Sequence, residues 1–428
     1  MMQPLRMCVL LALFASSAWA GDWPQFLGPD RNGVVDGQNL PAKFPAGGPR
    51  QVWNVDVGIG FGGPTIRDGR VYLLDREEDA RDVLRCVALR DGKELWRTAY
   101  EVAGKLSYPG SRSSPTVDEK LIFTVGGFGH VHAFERQTGR IVWGFDLREK
   151  FKSPVPNWGF AQSPLLYKEW VIIAPMSAEA GLAAIKKETG EVVWKSEPVG
   201  GNTYASPRLY TIGGVEQVVF ITNDRVVGIE PDTGRKLWQF DGYKNKIPIP
   251  SPTQIDDQRL FITGGYGTGS VMVRLDRSGD GFVITELWRT ELGTQIHAAV
   301  FHDGYIYINS NENDNLKAGG KNAPGMVCLN LDGKVQWQTG NQPSIDRGGM
   351  IVADGRAYLL GGETGVLHLV QLSPNSYAEL DSAKVVQAGR GNEHIWGPMA
   401  LSNGYLVVRD QKQMKCFDLR LARQAKAN

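Results

Sequence analysis

Seven tryptophans constrain what this 428-residue chain can fold into. Trp53, Trp96, Trp143, Trp194, Trp238, Trp288 and Trp337 fall at successive spacings of 43, 47, 51, 44, 50 and 49 residues. They mark a recurring unit. It runs Ser-Pro, apolar strand, Asp-Gly-type turn, Val/Ile/Phe-rich strand, Gly-rich turn, apolar strand, Thr-Gly or Asp-Gly turn, and a strand ending in Trp. The clearest copies are SSPTVDEKLIFTVGGFGHVHAFERQTGRIVW (113–143) and ASPRLYTIGGVEQVVFITNDRVVGIEPDTGRKLW (205–238). Four strands in every 43 to 51 residues is the period of a β-propeller blade, a sheet that buries its faces only by stacking on its neighbours. Tandem immunoglobulin-like sandwiches would need about 100 residues per unit and are disfavoured.

Eight strand sets begin near Phe61, Ser114, Ser163, Ser206, Ser251, His297, Asp346 and Ile395. The last set, Trp396 to Leu419, supplies three strands and no Trp-bearing fourth. QVWNVDVG (51–58) is a lone Trp-bearing strand at the other end of the chain. The expected fold is therefore all-β: a single closed eight-bladed β-propeller over 51–420, its ring closed by the N-terminal strand pairing into the last blade. Closure removes the exposed sheet edges. One further period of 49 residues puts the next docking position at Val386. Asp91-Gly92, Thr138-Gly139, Thr189-Gly190, Thr233-Gly234 and Asp332-Gly333 supply the positive φ of tight hairpins just before each Trp strand.

The seven tryptophans read as packing between blades. Cys86, six residues before Gly92, stands where Ala133 and Ala184 stand before Gly139 and Gly190. Cys86, Cys328 and Cys416 are thus expected to be buried, free thiols on third strands. No CxxC, CxxCH or adjacent Cys-Cys pair occurs, which removes zinc-ribbon and c-type haem readings.

Residues 1–20, MMQPLRMCVLLALFASSAWA, read as an export signal cleaved after Ala20, with the periplasm or the medium as destination. Residues 21–50 form an N-terminal extension and 421–428 a weakly basic tail. No later run approaches ~20 apolar residues, so no membrane span is expected. Lys+Arg 47 against Asp+Glu 46 leaves a net charge of +1, which provides no electrostatic footprint for nucleic acid or an anionic membrane.

This Trp-docked, Thr-Gly-marked repeat resembles the pyrroloquinoline quinone (PQQ) type of propeller repeat over residues 22–420. That repeat is shared by quinoprotein alcohol dehydrogenases and the propeller lipoprotein of the outer-membrane protein assembly machinery. WPQFLGPDRNGVV (23–35), NWGFAQSPLL (157–166) and the run from VADGRAYLLGGETGVLHLV (352–370) to VVRDQKQMKCFDLR (407–420) resemble the exported PQQ-binding-like propellers of planctomycete-type bacteria. For an enzyme, the resemblance implies a calcium ion on Glu, Asn and Asp oxygens, an Arg on the quinone, a Trp floor, an Asp base and two adjacent half-cystines. The chain lacks the adjacent cysteines and a haem site, and it is much shorter than those enzymes. The expectation is an exported binding or scaffold protein without catalysis and without a cofactor of its own. The alternative is a PQQ-dependent dehydrogenase of small alcohols or sugars, holding PQQ with calcium.

A ligand site is expected at the channel mouth, on the face made by the loops leading into first strands and those joining second to third strands. Trp158 and Trp396 lie outside the docking register and precede first strands. Arg112, Asn157, Gln162, Asn202, Gln295, His297, Asp346, Arg347, Glu393 and His394 reach the same rim by the same register. Convergent aromatic and polar groups there make a site for a small molecule or an unidentified protein; the competing reading is a structural plug. No catalytic residue or metal ligand is assigned, and a monomer is expected. Asp276–Gly281 begins like a calcium loop but has Leu287 at the twelfth position, so it reads as a hairpin. GGYGTGS (264–270) reads as a turn, and His130 and His132 as packing. The loop 309–325 is a candidate partner contact.

Overall fold

A computed structural model describes residues 21–310, 324–343, 345–388 and 393–420. The proposed leader, residues 311–323 of the long loop and the tail lie outside the described residues. Among the described residues the chain forms eight sheets, antiparallel except where a fifth strand joins blade 7. In blades 1 to 6 the four strands follow in chain order, as in blade 1: Thr65–Arg67, Arg70–Glu77, Arg81–Ala88, Glu94–Glu101. First strands of neighbouring blades touch one another around the axis, whereas fourth strands such as Glu94–Glu101 alternate exposed and half-buried at the rim. Blade 8 consists of Ala400–Ser402, Tyr405–Arg409, Gln413–Asp418 and, as its outer strand, Arg50–Asp56 from the other end of the chain. The expected closure is therefore present, with Trp53 paired to Cys416.

Every blade carries a one-residue register slip between its third and fourth strands. A bulge bends a strand and re-aims a side chain. Here it sends the Trp indole toward the next blade, onto the turn glycine that closes that blade's third strand. Gly92, Gly139, Gly190, Gly234 and Gly333 all have φ between +72° and +79°, and a Cβ on any of them would fall 2.4 to 2.9 Å from the docked indole. The indole N–H then donates across the seam: Trp53 to Leu89 O (2.7 Å), Trp143 to Lys187 O (2.7 Å), Trp194 to Pro231 O (2.9 Å), Trp288 to Leu331 O (2.8 Å) and Trp337 to Ser373 O (2.8 Å).

The Trp96 indole N–H finds no acceptor, and Trp337 meets a turn without glycine; two further positions depart more strongly from the pattern. Blade 5 replaces the Thr-Gly turn with a long ribbon, Gly269–Ser278 and Gly281–Thr290, joined by a two-residue turn at Gly279 and Asp280. Trp238 therefore turns back onto Gly228 of its own blade and donates to Gln217 Oε1. The same ribbon makes 276–281 a plain hairpin. The second departure corrects the eighth docking position: the register places Asp381 opposite Leu369 beside the slip, and Val386 lies beyond the strand in the core. Blade 8 has no turn between its third and fourth strands, because the fourth, Arg50–Asp56, precedes the third in the chain, and so no turn glycine awaits an indole. Asp381 instead accepts the Phe44 backbone N–H (2.9 Å) from the N-terminal segment.

That segment, read from the sequence only as an extension, is the axial plug. Trp23, 1% exposed, exchanges two backbone hydrogen bonds with Ile66 in blade 1 (2.9 and 2.7 Å), and Pro24 O accepts from Val117 in blade 2 (2.8 Å). Val34–Val35 adds in parallel to the first strand of blade 7 (Met350–Ala353) as a fifth strand. Asp354 then binds the backbone N–H groups of Gln38 and Leu40 (3.1 and 3.2 Å). Buried donors and acceptors must be paired, and the inner edges of blades 1, 2 and 7 find partners in the plug.

Cys86, Cys328 and Cys416 are fully buried and free, each paired across the third-to-fourth ladder with a Trp: Trp96, Trp337 and Trp53. A small residue there leaves room for the indole. Burial pushes the three thiols up to about 12, 11 and 12.

Two outcomes follow from this packing. Gly214→Ala (φ +72°, no atom within 4 Å) carries only a left-handed backbone penalty, about 1–2 kcal/mol. Gly234→Ala (φ +78°) also drives a methyl to 2.5 Å from Trp194 and is expected to cost about 1–3 kcal/mol more by urea denaturation; equal costs would show that docking does not hold the seam. Since the thiolate is the reactive form, Cys86, Cys328 and Cys416 should resist iodoacetamide at neutral pH in the folded protein and all label on unfolding, as read by mass spectrometry.

Candidate functional site

The loops that carry the chain from rim to axis are pinned by a belt around the channel. Ser-Pro pairs begin the first strands of blades 2 to 5, and Gly63-Pro64 that of blade 1. Each serine hydroxyl serves the neighbouring blade: Gly63 N donates to Ser114 Oγ (3.1 Å), Ser114 N to Ser163 Oγ (3.0 Å), Ser163 N to Ser206 Oγ (2.9 Å), and Ser251 Oγ to Ser206 O (2.8 Å). Proline fixes its own φ and restricts the residue before it, so each loop arrives in one conformation. The side chains three residues before Pro64, Pro115, Pro164, Pro207 and Pro252 are Phe61, Arg112, Ala161, Tyr204 and Ile249, and all five line one cavity of about 180 Å³ at the mouth. Ile296 and His297 from blade 6, Arg347 from blade 7 and Trp396 from blade 8 complete the ring.

The wall is a run of touching aromatic rings. Phe61 stacks on Trp396 (centroids 5.3 Å apart), Tyr108 meets Trp158 edge-on (6.3 Å), and Trp158 leans on Tyr204 (5.3 Å). Phe26 reaches this cavity from the plug, so the pore is a blind pocket. Arg112 is held by the carbonyls of Gly110 (3.0 Å) and Tyr108, with its guanidinium 5.8 Å from the Phe61 centroid; burial lowers it only to about 10, so it is charged at neutral pH. Arg347 stands 5.8 Å over Trp396. Burial lowers His297 to about 4, which leaves it neutral. The buried atoms His297 Nε2, Gln295 Oε1, Arg347 Nε and Trp396 Nε1 have no hydrogen-bond partner.

Of the twelve residues read from the sequence, the structure brings Arg112, Trp158, Gln295, His297, Arg347 and Trp396 together in this wall. The other six lie around it. Asn157 is exposed to solvent on its turn. Gln162 is a buried strut, accepting from Ala174 N (2.5 Å) and donating to Ala174 O (2.6 Å). Asn202 donates to the Tyr204 hydroxyl (3.2 Å), and His394 stacks behind Trp396 (4.4 Å). Glu393 pairs with Lys412 (3.4 Å). Asp346 is buried; one oxygen accepts the Glu363 N–H (2.6 Å), and the other has no partner. Sequence reasoning missed Phe26, Phe61, Tyr108, Tyr204, Ile249 and Tyr266. The position three before each proline would have revealed three of them. Tyr266, at φ +60°, sits in the GGYGTGS turn.

Calcium with PQQ asks for converging carboxylate and amide oxygens. The wall holds two arginines and no carboxylate, and among the described residues no three His, Cys, Asp or Glu side chains gather to hold a metal ion. The donor set does not fit calcium. His132 packs against Tyr100 (4.2 Å), and His130 faces Asp146 (3.7 Å).

An eight-bladed ring with a plugged axis and an aromatic mouth defines the class: a PQQ-like β-propeller. The family model described as outer membrane protein assembly factor BamB matches residues 79–316 and 223–426, and the chain belongs to that family. The chain is 25% identical over 168 residues to the quinoprotein alcohol dehydrogenase PedH of Pseudomonas putida, a match that spans 37% of this chain and 27% of that relative's length. In fold it is similar to BamB from Moraxella catarrhalis (TM-score 0.58, 13% identity, 87% of this chain and 98% of that one). It is also similar to the quinohemoprotein alcohol dehydrogenase of Comamonas testosteroni (TM-score 0.63, 14% identity, 96% and 82%). No helix among the described residues is long and apolar enough to cross a membrane.

Burial raises the Asp346 carboxyl to about 6. The folded state therefore holds this proton where the unfolded chain, with an ordinary carboxyl near 3.8, has released it. Stability from this group is present below about pH 4 and is lost as pH rises through 6. Asp346→Asn, which keeps the acceptor for Glu363, should gain on wild type between pH 4 and pH 6 by about 2–3 kcal/mol, read as the difference between paired urea melts. A difference that does not change with pH would show that the carboxyl is not strained.

Proposed function

We propose that this protein is an exported, non-catalytic binding protein whose axial mouth takes a planar, anionic small molecule. The observation that carries the reading is the composition of the wall. Stacked aromatic rings offer faces to a flat ligand, Arg112 and Arg347 offer positive charge, and no carboxylate opposes it. Four buried polar atoms there lack partners, and an unmet buried donor or acceptor costs about 1–3 kcal/mol that a ligand would relieve. Export rests on the leader sequence. The BamB family supports a binding or scaffold role.

The second reading, a PQQ-dependent dehydrogenase, is favoured by the likeness to PedH. Against it stand the missing carboxylates of the wall, with Asp346 and Glu393 engaged elsewhere, and the missing adjacent cysteines.

Titration with PQQ, used as a planar tricarboxylate probe with and without calcium and followed by quenching of Trp fluorescence, tests the proposal. Saturable binding that does not need calcium is expected. Trp158→Ala and Trp396→Ala should abolish it with melting temperatures close to wild type, since neither indole occupies a docking position between a fourth strand and the next blade's turn. If each change instead costs about 3–5 kcal/mol, the usual range for a buried aromatic, the mouth is a structural plug. Turnover of a primary alcohol or aldose with PQQ and calcium would promote the dehydrogenase.

A further inference from the structure

At the opposite end of the axis, the plug and blades 1 to 5 enclose a cleft of about 710 Å³, and both Arg31 and Arg208 line it. They are 3% and 1% exposed. Arg31, on the plug, donates Nη1 to Gln25 Oε1 (3.2 Å) and Pro164 O (2.8 Å) and Nη2 to Ser163 O (3.1 Å); its Nε has no partner. Arg208 opens the first strand of blade 4, directly after Pro207, and is fixed there by the Ser-Pro belt. It donates only Nη1, to the Tyr210 hydroxyl (3.0 Å), while Nε and Nη2 are buried without partners. Those two N–H groups form one edge of the guanidinium fork, the edge that a pair of carboxylate or phosphate oxygens grips.

Other buried arginines in this protein have acids. Arg76 meets Asp82 (2.8 Å), Arg85 meets Asp75 (2.5 Å), and Asp75 and Asp410 act on Arg409. Arg31 is influenced instead by Arg208, a like charge, and burial with that repulsion lowers it to about 9. The acids that line the cleft are engaged or outlying: Asp256 pairs with Arg259 (2.7 Å), Glu216 accepts from the Tyr167 hydroxyl (3.4 Å), and Asp30 is exposed. Two coupled guanidinium ions out of water are costly unless an anion joins them.

We propose that this cleft is a binding site for a small oxyanion, a carboxylate or phosphate group, held on the Nε/Nη2 edge of Arg208 with Arg31 supplying the second charge. It is separate from the aromatic mouth and independent of the function proposed for it.

The test is thermal melting and calorimetric titration of the full protein with inorganic phosphate, acetate and succinate at constant ionic strength, with chloride as the reference anion. At least one oxyanion should raise the melting temperature with the logarithm of its concentration. The ranking of phosphate against the two carboxylates identifies the source chemistry. Arg208→Met should weaken binding at least tenfold without lowering the melting temperature in oxyanion-free buffer, because it removes an unbalanced buried charge. Arg208→Lys keeps the charge but loses the fork, so it should also weaken binding at least tenfold; it serves as the test if the Met variant does not fold. Trp396→Ala should bind the anion like wild type. Stabilisation no greater than that of chloride, or undiminished in Arg208→Met or Arg208→Lys, would overturn the proposal.

Discussion

An indole laid on a glycine, present across five of the eight seams, is the contact on which the ring depends. A four-stranded sheet has two apolar faces and buries neither alone, so every blade borrows its core from the next. The Trp supplies area, and in five of the seven its N–H reaches a carbonyl across the seam. The glycine is needed twice over: its backbone is left-handed, and the space where a Cβ would stand is filled by the indole, as at Gly139 with Trp96. The slip recurs beside the docking position in all eight blades, and a bulge of this kind bends the strand and raises its local twist.

Closure itself explains the exception. Blade 8 is assembled from both ends of the chain, so the connection that would carry its turn glycine does not exist. Blade 7 has nothing to dock on and uses Asp381 to hold the Phe44 backbone. From there the same N-terminal segment reaches Asp354 and lies along the first strand of blade 7. Ring closure and plugging are thus two uses of one stretch of chain, residues 22–56.

The plug divides the axis into two chambers of different chemistry. On one side Phe26 faces the aromatic mouth; on the other Arg31 faces Arg208 in the wider cleft. Each chamber is lined by side chains fixed by the Ser-Pro belt, since Tyr204 and Arg208 flank the same Ser206-Pro207 pair. Their positions therefore follow from the ring and not from flexible loops, and preorganisation of this kind lowers the cost of ordering a site on binding.

The repeat itself was legible in the sequence because its signals are local: the Trp spacing, the Thr-Gly turns and the lone strand at Trp53 determined blade number, strand order, closure and the burial of Cys86, Cys328 and Cys416. Six of the sixteen residues that line the mouth could be read by register, as at Trp158 and Trp396, because a loop at a fixed offset from a first strand must reach the axis. The offset says which residue arrives there but not where its side chain turns. Gln162 bonds to Ala174 and Glu393 to Lys412, each claimed by a backbone or charge distant in sequence. Asp381 rather than Val386 took the eighth docking place, since the periods vary between 43 and 51 residues and the step from Trp337 to Asp381 is 44, so the preceding step of 49 could not be carried forward. The role of residues 22–48 was decided only by tertiary structure. Their partners, Ile66, Val117, Ser163, Val352 and Asp381, lie in four different blades, and an irregular segment carries no periodicity of its own when so many of its hydrogen bonds go to groups that the ring has gathered.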